Sequence, residues 1–400
     1  MPFAPHTIRA DFPLLRGHDE RDRLIYFDNA ATSLKPDPVI AAVTAYLSEY
    51  SANIHRGQHE LSERATVAYE AARRRIARFL GATSSEVVFV RGATEGVGLV
   101  AAGLDLSPDD NVVATLLEHH SNLLPWRARC AVRPAPVLAS GLPDLAAAEA
   151  LIDDRTRLVT VTLCSNVTGV WVPVADWAKM AQRHGLPLLV DAAQAAAHDR
   201  IDVSALDCDF LVLSGHKLCG PPGAGVLYGK HEALSALRPV MIGGGSAASV
   251  SADMSYVLRD VPWRLEAGTP DIAAVIGLGA AASYMEDIGL DAIVTHEEAL
   301  TRALDEVVSS IPGLCAVRPE EGVRRAPICA FTTSAGPSVD WLSRVLSDTY
   351  GILTRAGHHC AHPFHESAGL SGGTLRASLA FYNTVEEVAR FGDALRSLLR

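Results

Sequence analysis

Lys217 stands where the short apolar run of residues 211–214 gives way to a loop rich in glycine and proline. The chain has only four lysines, and the other three, Lys35, Lys179 and Lys230, lie in polar contexts typical of solvated surface. Functional groups of α/β proteins collect at strand ends, so Lys217 is well placed for chemistry. Its amine can form a Schiff base with an aldehyde cofactor where the surroundings favour the neutral form. An ordinary surface lysine is the alternative that the local sequence leaves open.

Asp191 ends a second apolar run, residues 186–191, and its carboxylate complements Lys217. Pyridoxal phosphate requires a lysine for its aldehyde, a carboxylate for its pyridine nitrogen and hydrogen-bond donors for its phosphate. Ser214 and His216, close to Lys217, are the predicted phosphate donors. A strand-end aspartate can also be a helix cap, so the prediction depends on the pair of Asp191 and Lys217 rather than on either residue alone.

Other predicted strand ends offer groups that would complete such a site. The strand 87–90 runs into a glycine turn and a helix, and a helix N-terminus with free N–H groups favours a phosphate. His119 follows the strand 111–116, from where its ring could stack on a cofactor ring. Asn166 follows the strand 158–163 and is predicted at the same edge of the sheet.

Composition narrows the class of protein. Of the 400 residues, 48% are hydrophobic and 20% charged, and the net charge is −11. Such an acidic chain argues against a general nucleic-acid surface or an anionic membrane as partner. No apolar run approaches the roughly 18 residues of a membrane span, and the N-terminus lacks a secretory pattern. The seven cysteines are scattered and lack the spacing of a zinc site, which predicts reduced thiols in a cytoplasmic protein and no metal centre.

Apolar strands alternate with amphipathic helices, which predicts an α/β protein with a doubly wound sheet and a site at its carboxyl edge. Six predicted strands are followed by polar residues, and the run 24–27 is one of these six. Helices are predicted at 38–50, 62–80, 174–184, 272–287 and 291–311, and strands of a smaller unit near 314–318, 327–332 and 352–355. We expect a large domain of residues 21–290 and a small domain of residues 1–20 and 291–400.

Cys360 differs from the other cysteines because it follows two histidines in a loop of small and polar residues, 355–363. An exposed thiol near cationic groups ionises readily, and the thiolate is the nucleophilic form. From the local sequence, a buried or incidental thiol is an equal alternative.

These residues lie in motifs that resemble the group II cysteine desulfurases and selenocysteine lyases, class V aminotransferases of pyridoxal-phosphate fold type I. The similarity covers nearly the whole chain, at residues 26–31, 55–57, 91–95, 118–122, 165–166, 191–194, 206–210, 214–217, 266–270, 357–360 and 376–380. The resemblance implies a large domain with a mixed, mostly parallel sheet, and a smaller C-terminal α/β domain with the cysteine loop.

The resemblance also implies roles. Lys217 would hold the cofactor and transfer protons, Cys360 would accept sulfur, and His119 would stack on the cofactor ring as a third catalytic residue. The implied cofactor-binding residues are Ala93, Thr94, His119, Asn166, Asp191 at the pyridine nitrogen, Gln194 at the ring hydroxyl, Ser214, His216, Lys217 and, from a partner subunit, Thr269. The implied substrate-binding residues are His55, Asn166, Arg355 and Arg376, the last at the carboxylate.

The activity implied is that of a cysteine desulfurase, which converts L-cysteine to L-alanine and leaves sulfur on Cys360 as a persulfide. The implied partners are a second copy of the chain, in a homodimer with a shared active site, and a sulfur-acceptor protein of iron–sulfur cluster assembly or another sulfur-carrier pathway. A C–S or C–Se lyase of the same fold is the alternative. A non-catalytic homologue is a third hypothesis, against which the presence of Lys217 and Asp191 argues.

The chain also departs from residues common in that family. The departures are Gly98, Leu163, Thr168, Cys219, Leu265, Asp271 and His362. Most are expected on or near the cofactor edge, so they bear on substrate choice and efficiency.

Overall fold

The structure is a computed structural model of the chain and describes residues 4–16, 24–334 and 336–399. Within these residues the strands are β1 (Ile25–Tyr26), β2 (Val87–Val90), β3 (Asn111–Thr115), β4 (Ala131–Ala135), β5 (Thr156–Thr162), β6 (Leu188–Asp191), β7 (Phe210–Ser214), β8 (Gly225–Gly229), β9 (Ala247–Val250), β10 (Tyr256–Leu258), β11 (Leu314–Val317), β12 (Ile328–Thr333), β13 (Ile352–Leu353), β14 (Arg355–Gly357) and β15 (Thr374–Ser378). The α-helices are α1 (Pro5–Arg9), α2 (Asp37–Glu49), α3 (Glu60–Leu80), α4 (Ala93–Gly103), α5 (Leu124–Arg127), α6 (Leu145–Ala150), α7 (Val174–Arg183), α8 (Val203–Leu206), α9 (His231–Ala236), α10 (Ile272–Ile288), α11 (Leu290–Ser310), α12 (Val339–Tyr350), α13 (His362–Ser367) and α14 (Val385–Leu398).

Seven strands form the large sheet, in the order β2-β8-β7-β6-β5-β3-β4. β8 is antiparallel to both of its neighbours, and the other six strands run in one direction. β2, β3, β6 and β7 are buried along their whole length, as expected of short apolar strands in a sheet covered on both faces. Six carboxyl ends therefore meet at one edge, which confirms the predicted mixed, mostly parallel sheet.

Helix α10 supports the loop that follows β7. It is apolar on most sides because it is buried against α2 and α3. Two glycines allow it to approach its neighbours closely: a Cβ at Gly277 would lie 2.5 Å from Pro221 Cγ, and one at Gly279 would lie 2.7 Å from Ala72 Cβ. A side chain at Gly277 would push α10 away from the loop that contains Pro221.

The C-terminal part of the chain forms an antiparallel sheet in the order β11-β12-β15-β14, with α11, α12 and α14 packed on it. β1 belongs to this part, since residues 25–26 pair in parallel with residues 352–353. Ile25 and Phe27 are fully buried in its hydrophobic cluster. The prediction that the run 24–27 supplies a strand end of the large sheet is therefore wrong, and β4 is the sixth parallel strand.

The predicted helices agree with the structure to within one or two residues at each end. β8, β15 and the hairpin of β9 and β10 were not predicted, because glycine-rich loops and weak periodicity hide them in the sequence. The division into domains remains a prediction, and residues 1–3 and 17–20 of its N-terminal segment lie outside the described residues.

No single helix in the described ranges is long and apolar enough to cross a bilayer. α10 and α11 reach that length and hydropathy only together, across a bend of 77°.

Candidate active site

A cavity of about 450 Å³ opens between the carboxyl edge of the large sheet and the C-terminal sheet. It brings together the predicted residues Ala93, Thr94, His119, Asn166, Asp191, Gln194, Ser214, His216, Lys217, Arg355, Cys360 and Arg376. They come from the ends of five parallel strands and from β14, β15 and the loop between them. Two other predicted residues, His55 and Thr269, lie in a separate cavity.

Lys217 ends a short 3₁₀ turn that directly follows β7. Burial lowers the pKa of its amine to about 8, although the negative charge of Asp191 opposes the shift. An amine with a pKa this close to neutrality has a substantial neutral fraction, which Schiff-base formation and proton transfer both require. The environment of Lys217 therefore meets the condition set by the sequence analysis.

Asp191 ends β6 and is 5% exposed. The backbone N–H of Ala193 donates a 2.8 Å hydrogen bond to its Oδ1. Burial raises the pKa of Asp191, while this hydrogen bond and the cation of Lys217 favour the charged form. A carboxylate buried in the wall of a cavity can bind a protonated ring nitrogen strongly, because the local dielectric is low and little water competes for the carboxylate.

Gln194, three residues after Asp191, shows whether the site fits pyridoxal phosphate. Gln194 is 4% exposed, and its Oε1 has no hydrogen-bond partner within the described residues. A buried polar atom without a partner is costly, and a hydroxyl donor on a bound ring would satisfy it. The Nε2 of Gln194 contacts His198 at 3.2 Å, and His198 contacts Glu297 at 2.8 Å. These contacts fix the orientation of the Gln194 amide.

One end of the cavity is suited to a phosphate. Helix α4 begins there at Ala93, whose N–H donates to the Ser214 hydroxyl at 2.9 Å, and the Thr94 hydroxyl lies 2.7 Å from that of Ser121. The turn before α4 lies close to β8: a Cβ at Gly225 would be 2.5 Å from the Cα of Gly92. The helix N-terminus and these hydroxyls supply the donors that an anion requires.

His119 and His216 both line the cavity as neutral imidazoles. Burial lowers the pKa of each to about 4, and the neighbouring Lys217 cation contributes in both cases. His119 Nδ1 contacts the Ser121 hydroxyl at 3.0 Å and accepts the Ser121 N–H at 3.1 Å. These contacts fix the His119 ring in the cavity wall.

Arg376 lies on β15 and is 2% exposed. Its Nη1 donates to the Asn166 carbonyl at 2.8 Å, and its Nη2 lies 3.4 Å from Asp28 Oδ1. Its Nε has no partner in the described part of the chain. Burial lowers the pKa of Arg376 to about 10, so it remains a cation at neutral pH and can bind a carboxylate. Asp28 also binds Arg355, at 2.8 Å.

Two thiols line the cavity, and only one is accessible. Cys164 is 1% exposed, its Sγ lies 3.4 Å from the Gly169 carbonyl, and burial raises the pKa of the thiol strongly. Cys360 is exposed, on the loop after β14. Its φ is 55°, a conformation uncommon outside glycine, and its carbonyl accepts the His120 N–H at 2.8 Å. Cys360 is therefore the thiol that a second molecule can reach.

Histidines surround the Cys360 loop. The rings of His358 and His362 stack with centroids 4.2 Å apart, and those of His362 and His120 with centroids 5.0 Å apart. His359, at 8% exposure, lies behind them, where its carbonyl accepts the Asn166 amide at 2.8 Å. No group of three or more His, Cys, Asp or Glu side chains in the described ranges is arranged to hold a metal ion.

His55 and Thr269 lie apart from the Lys217 cavity, in a second one of about 180 Å³. The Asn53 amide donates to the Thr269 hydroxyl at 3.3 Å, and His55 contacts Glu70 at 2.9 Å. A single chain thus does not bring Thr269 or His55 to the cavity, and their roles remain predictions that require a second copy.

Sequence reasoning missed several residues of the site. Asp28 and His359 contact the predicted residues directly, and both lie within motifs already singled out. Lys35 was predicted on the solvated surface, which is wrong: it is half-buried, and burial lowers its pKa to about 8. The residues near Lys35 in sequence are polar and therefore suggested exposure. In the structure they form a loop that packs on the Lys217 turn, and this contact buries Lys35.

The sequence matches the family described as aminotransferase class-V over residues 25–391. A curated cysteine desulfurase from Klebsiella pneumoniae is 42% identical over 407 residues, which cover 100% of this chain and 99% of that protein. The apo structure of a cysteine desulfurase from Thermococcus onnurineus has a TM-score of 0.93 and 38% identity, with 100% and 99% of the two chains covered. The structure of the cysteine desulfurase CsdA from Escherichia coli, in an S-sulfonic acid form, has a TM-score of 0.90 and 37% identity, with the same coverage. These likenesses confirm the fold implied by the sequence motifs.

Proposed function

The chain belongs to the class-V aminotransferase family, and from that premise we propose that it is a pyridoxal-phosphate-dependent cysteine desulfurase. The observation on which the proposal depends is the exposed thiol of Cys360 in the same cavity as Lys217 and Asp191. A lysine and a carboxylate suit cofactor chemistry in general, whereas an accessible thiol beside them suits the removal of sulfur from a substrate.

The cavity residues fit the cofactor. Asp191 would hold the ring nitrogen and the free Oε1 of Gln194 the ring hydroxyl, while His119 would stack on the ring. The phosphate would lie at the start of α4, against Thr94, Ser214 and His216. When bound, pyridoxal phosphate supplies an electron sink for the bonds at the substrate's α carbon.

Each protein group then has a defined task. Arg376 binds the carboxylate of L-cysteine, with Asn166 and Arg355 beside it. Lys217 moves a proton between its Nζ and the α carbon, for which a pKa of about 8 is suited. The Cys360 thiolate attacks the substrate sulfur and the substrate's C–S bond breaks. The sulfur stays on Cys360 as a persulfide, and the three-carbon product takes up a proton in its place and leaves as alanine.

The persulfide would pass to an acceptor protein of iron–sulfur cluster assembly or another sulfur-carrier pathway. The exposed position of Cys360 supports such a transfer, because a second protein must reach the sulfur. We place the enzyme in the cytoplasm, which the seven free thiols support. No observation favours the C–S or C–Se lyase alternative, and the relatives named above carry the name cysteine desulfurase.

A homodimer with a shared active site is part of the proposal. The segment 240–257 exposes the large apolar side chains Val240, Met241, Ile242, Val250, Met254, Tyr256 and Val257, each more than half exposed. An apolar cluster of this kind is typical of an interface. The cavity with His55 and Thr269 would then complete the Lys217 site of the partner subunit.

The test uses purified protein loaded with pyridoxal phosphate. Addition of L-cysteine should produce alanine and an adduct of one sulfur atom that maps to Cys360 by mass spectrometry. L-Serine has the same charges but no sulfur, and it should give neither product. Cofactor-loaded protein that forms no alanine from L-cysteine and gains no adduct would contradict the proposal. Alanine from L-selenocysteine alone would establish the lyase alternative.

A further inference from the structure

The backbone carbonyl oxygen of His216 accepts four hydrogen bonds from one short segment, residues 32–35. The Thr32 hydroxyl donates at 3.0 Å, and the Ser33 hydroxyl and N–H both donate at 3.1 Å. The Lys35 ammonium donates at 2.9 Å. A carbonyl oxygen has two lone pairs and needs only one partner when buried, so four donors mark a carbonyl whose position is closely specified.

This carbonyl belongs to the peptide bond between His216 and Lys217. Because a peptide unit is planar, holding its oxygen fixes the direction in which the chain enters Lys217. The same segment holds the turn at a second point, where the Cys219 N–H donates to the Ser33 hydroxyl at 2.7 Å. Cys219 has a φ of 57°, which non-glycine residues adopt only when the surrounding structure imposes it.

Lys35 is the charged member of this set. Its ammonium donates to the Thr32 hydroxyl at 3.2 Å, to the Ser33 carbonyl and to the His216 carbonyl. These three oxygens use all three N–H bonds of an ammonium. In the described ranges it has no carboxylate partner, and it does not line the Lys217 cavity. It therefore acts on the site only through the groups it binds.

We propose that Lys35 is a positioning residue for Lys217: with Thr32 and Ser33, it fixes the peptide bond from which the Lys217 side chain enters the cavity. The inference rests on the proposed function, because the task of Lys217 is the one assigned there. It deepens that function by naming a residue outside the cavity on which the proton transfer depends.

The competing account is that Lys35 only helps segment 28–35 to fold. That segment has other anchors, however. The Ala30 N–H donates to the Ser378 hydroxyl at 2.9 Å, and the Leu34 N–H donates to the Tyr382 hydroxyl at 2.9 Å. Loss of the ammonium should therefore leave the segment in place and release mainly the Lys217 turn.

The test compares cofactor-loaded wild type with Lys35→Met, which keeps the length of the side chain and removes its donors. Lys179→Met is the matched control, because Lys179 is an exposed lysine whose one ion pair within the described ranges is with Asp176. We expect Lys35→Met to lower kcat for alanine formation about tenfold to a hundredfold, as misplacement of a reacting group does. KM for L-cysteine should change less than about twofold, since Lys35 does not touch the substrate site.

A spectroscopic readout separates positioning from folding. The midpoint of the pH titration of the bound cofactor's absorbance should shift in Lys35→Met by about half a pH unit or more, because it reports the surroundings of the Lys217 nitrogen. Ser33→Ala removes a donor to the same carbonyl without changing charge, and it should shift the midpoint and kcat in the same direction by a smaller amount. This second variant also serves if Lys35→Met does not fold.

Wild-type kcat and an unshifted midpoint in folded Lys35→Met and Ser33→Ala would overturn the inference. So would a loss of turnover that matches a loss of bound cofactor, with kcat per cofactor unchanged. Failure of the wild type itself to bind the cofactor or form alanine would instead overturn the proposed function.

Discussion

The guanidinium of Arg376 donates a 2.8 Å hydrogen bond to the backbone carbonyl of Asn166, and this contact joins the two sheets across the cavity. Arg376 lies on β15 of the C-terminal sheet, while Asn166 lies on the loop after β5 of the large sheet. Asn166 makes a second contact between the same two parts of the chain, because its side-chain amide donates to the His359 carbonyl at 2.8 Å. Arg376, proposed to bind the substrate carboxylate, and the Cys360 loop therefore both contact the same residue, Asn166.

Arg376→Gln should impair substrate binding more than any later step. Hydrogen bonds to charged groups contribute about 1.5–3 kcal/mol, so KM for L-cysteine should rise about tenfold to a hundredfold. Steady-state kinetics with the cofactor-loaded enzyme measures this change. Arg238→Gln, which removes an exposed ion pair with Asp105, is the control and should behave as wild type. An unchanged KM in Arg376→Gln would show that another group binds the carboxylate.

Cys360→Ser should form no sulfur adduct and lose alanine formation by at least about a hundredfold, because a hydroxyl does not replace the thiolate as sulfur acceptor. The absorbance of the bound cofactor should remain, since Lys217 and Asp191 are untouched. Mass spectrometry after addition of L-cysteine measures the adduct. Cys315→Ser removes the other exposed thiol, on β11 outside the cavity, and should keep full activity. Normal turnover in Cys360→Ser would exclude the assigned role.

His119 and His216 should each make the cofactor-free protein less stable as the pH falls from about 6.5 to about 4. The pKa values of His119 and His216 are lowered by burial to about 4, so within this window the unfolded chain binds protons that the folded chain does not. The contribution of these two histidines to stability therefore decreases on acidification, whereas Glu118, whose pKa burial raises to about 8, contributes in the opposite direction. Urea denaturation at about pH 7 and about pH 4.5 measures the loss.

A variant isolates the share of one histidine in that loss. His119→Asn cannot titrate in this range and should lose less stability between the two pH values than wild type. His231→Asn alters an exposed histidine at the start of α9 and should follow the wild type. Equal losses in wild type and His119→Asn would refute the assignment of a neutral, half-buried His119.

Val257→Asp should convert the proposed homodimer to a monomer. Val257 is 61% exposed on β10, and a charge there would have to be desolvated in an apolar interface. Gel filtration with light scattering measures the mass, and the monomer should lose activity because Thr269 and His55 would no longer reach a partner's site. Val385→Asp places the same charge at an exposed position on α14 and should leave the mass unchanged. A monomeric wild type with full activity would contradict the shared site.

Five strands of the large sheet, β2, β3, β5, β6 and β7, and most of the residues at their ends could be predicted from the sequence, for a physical reason. Buried parallel strands are short apolar runs, and the polar residue that ends each run must lie at the sheet's carboxyl edge. The sequence alone therefore predicts that Asp191, Ser214 and Lys217 lie together. His119 follows from the same rule, whereas Thr94 was implied by the family resemblance, within a turn that the rule predicts as a phosphate site.

Contacts between distant segments could not be predicted in this way. The run 24–27 has the pattern of a strand, but its partner is chosen by tertiary packing, and it pairs with β13 rather than with the large sheet. The burial of Lys35 depends on the meeting of residues 32–35 with the Lys217 turn, which no local pattern encodes. Arg376 was identified only through the family resemblance, because β15 directly follows the glycine pair Gly372 and Gly373, which hides the strand in the sequence.

The pairing of β1 with β13 has a consequence for biosynthesis. Ile25 and Phe27 leave the ribosome before the large sheet does, yet the surface that buries them includes Ile352, which is translated after the whole large sheet. A nascent chain must keep these apolar side chains uncovered while most of the large sheet has already emerged, and such exposed segments are sites of aggregation or chaperone binding. Arg376, which lies beyond Ile352 in the chain, contacts Asp28, so the cavity becomes competent only after β15 has been translated. The segment from β13 to β15 thus sets the time at which activity first appears.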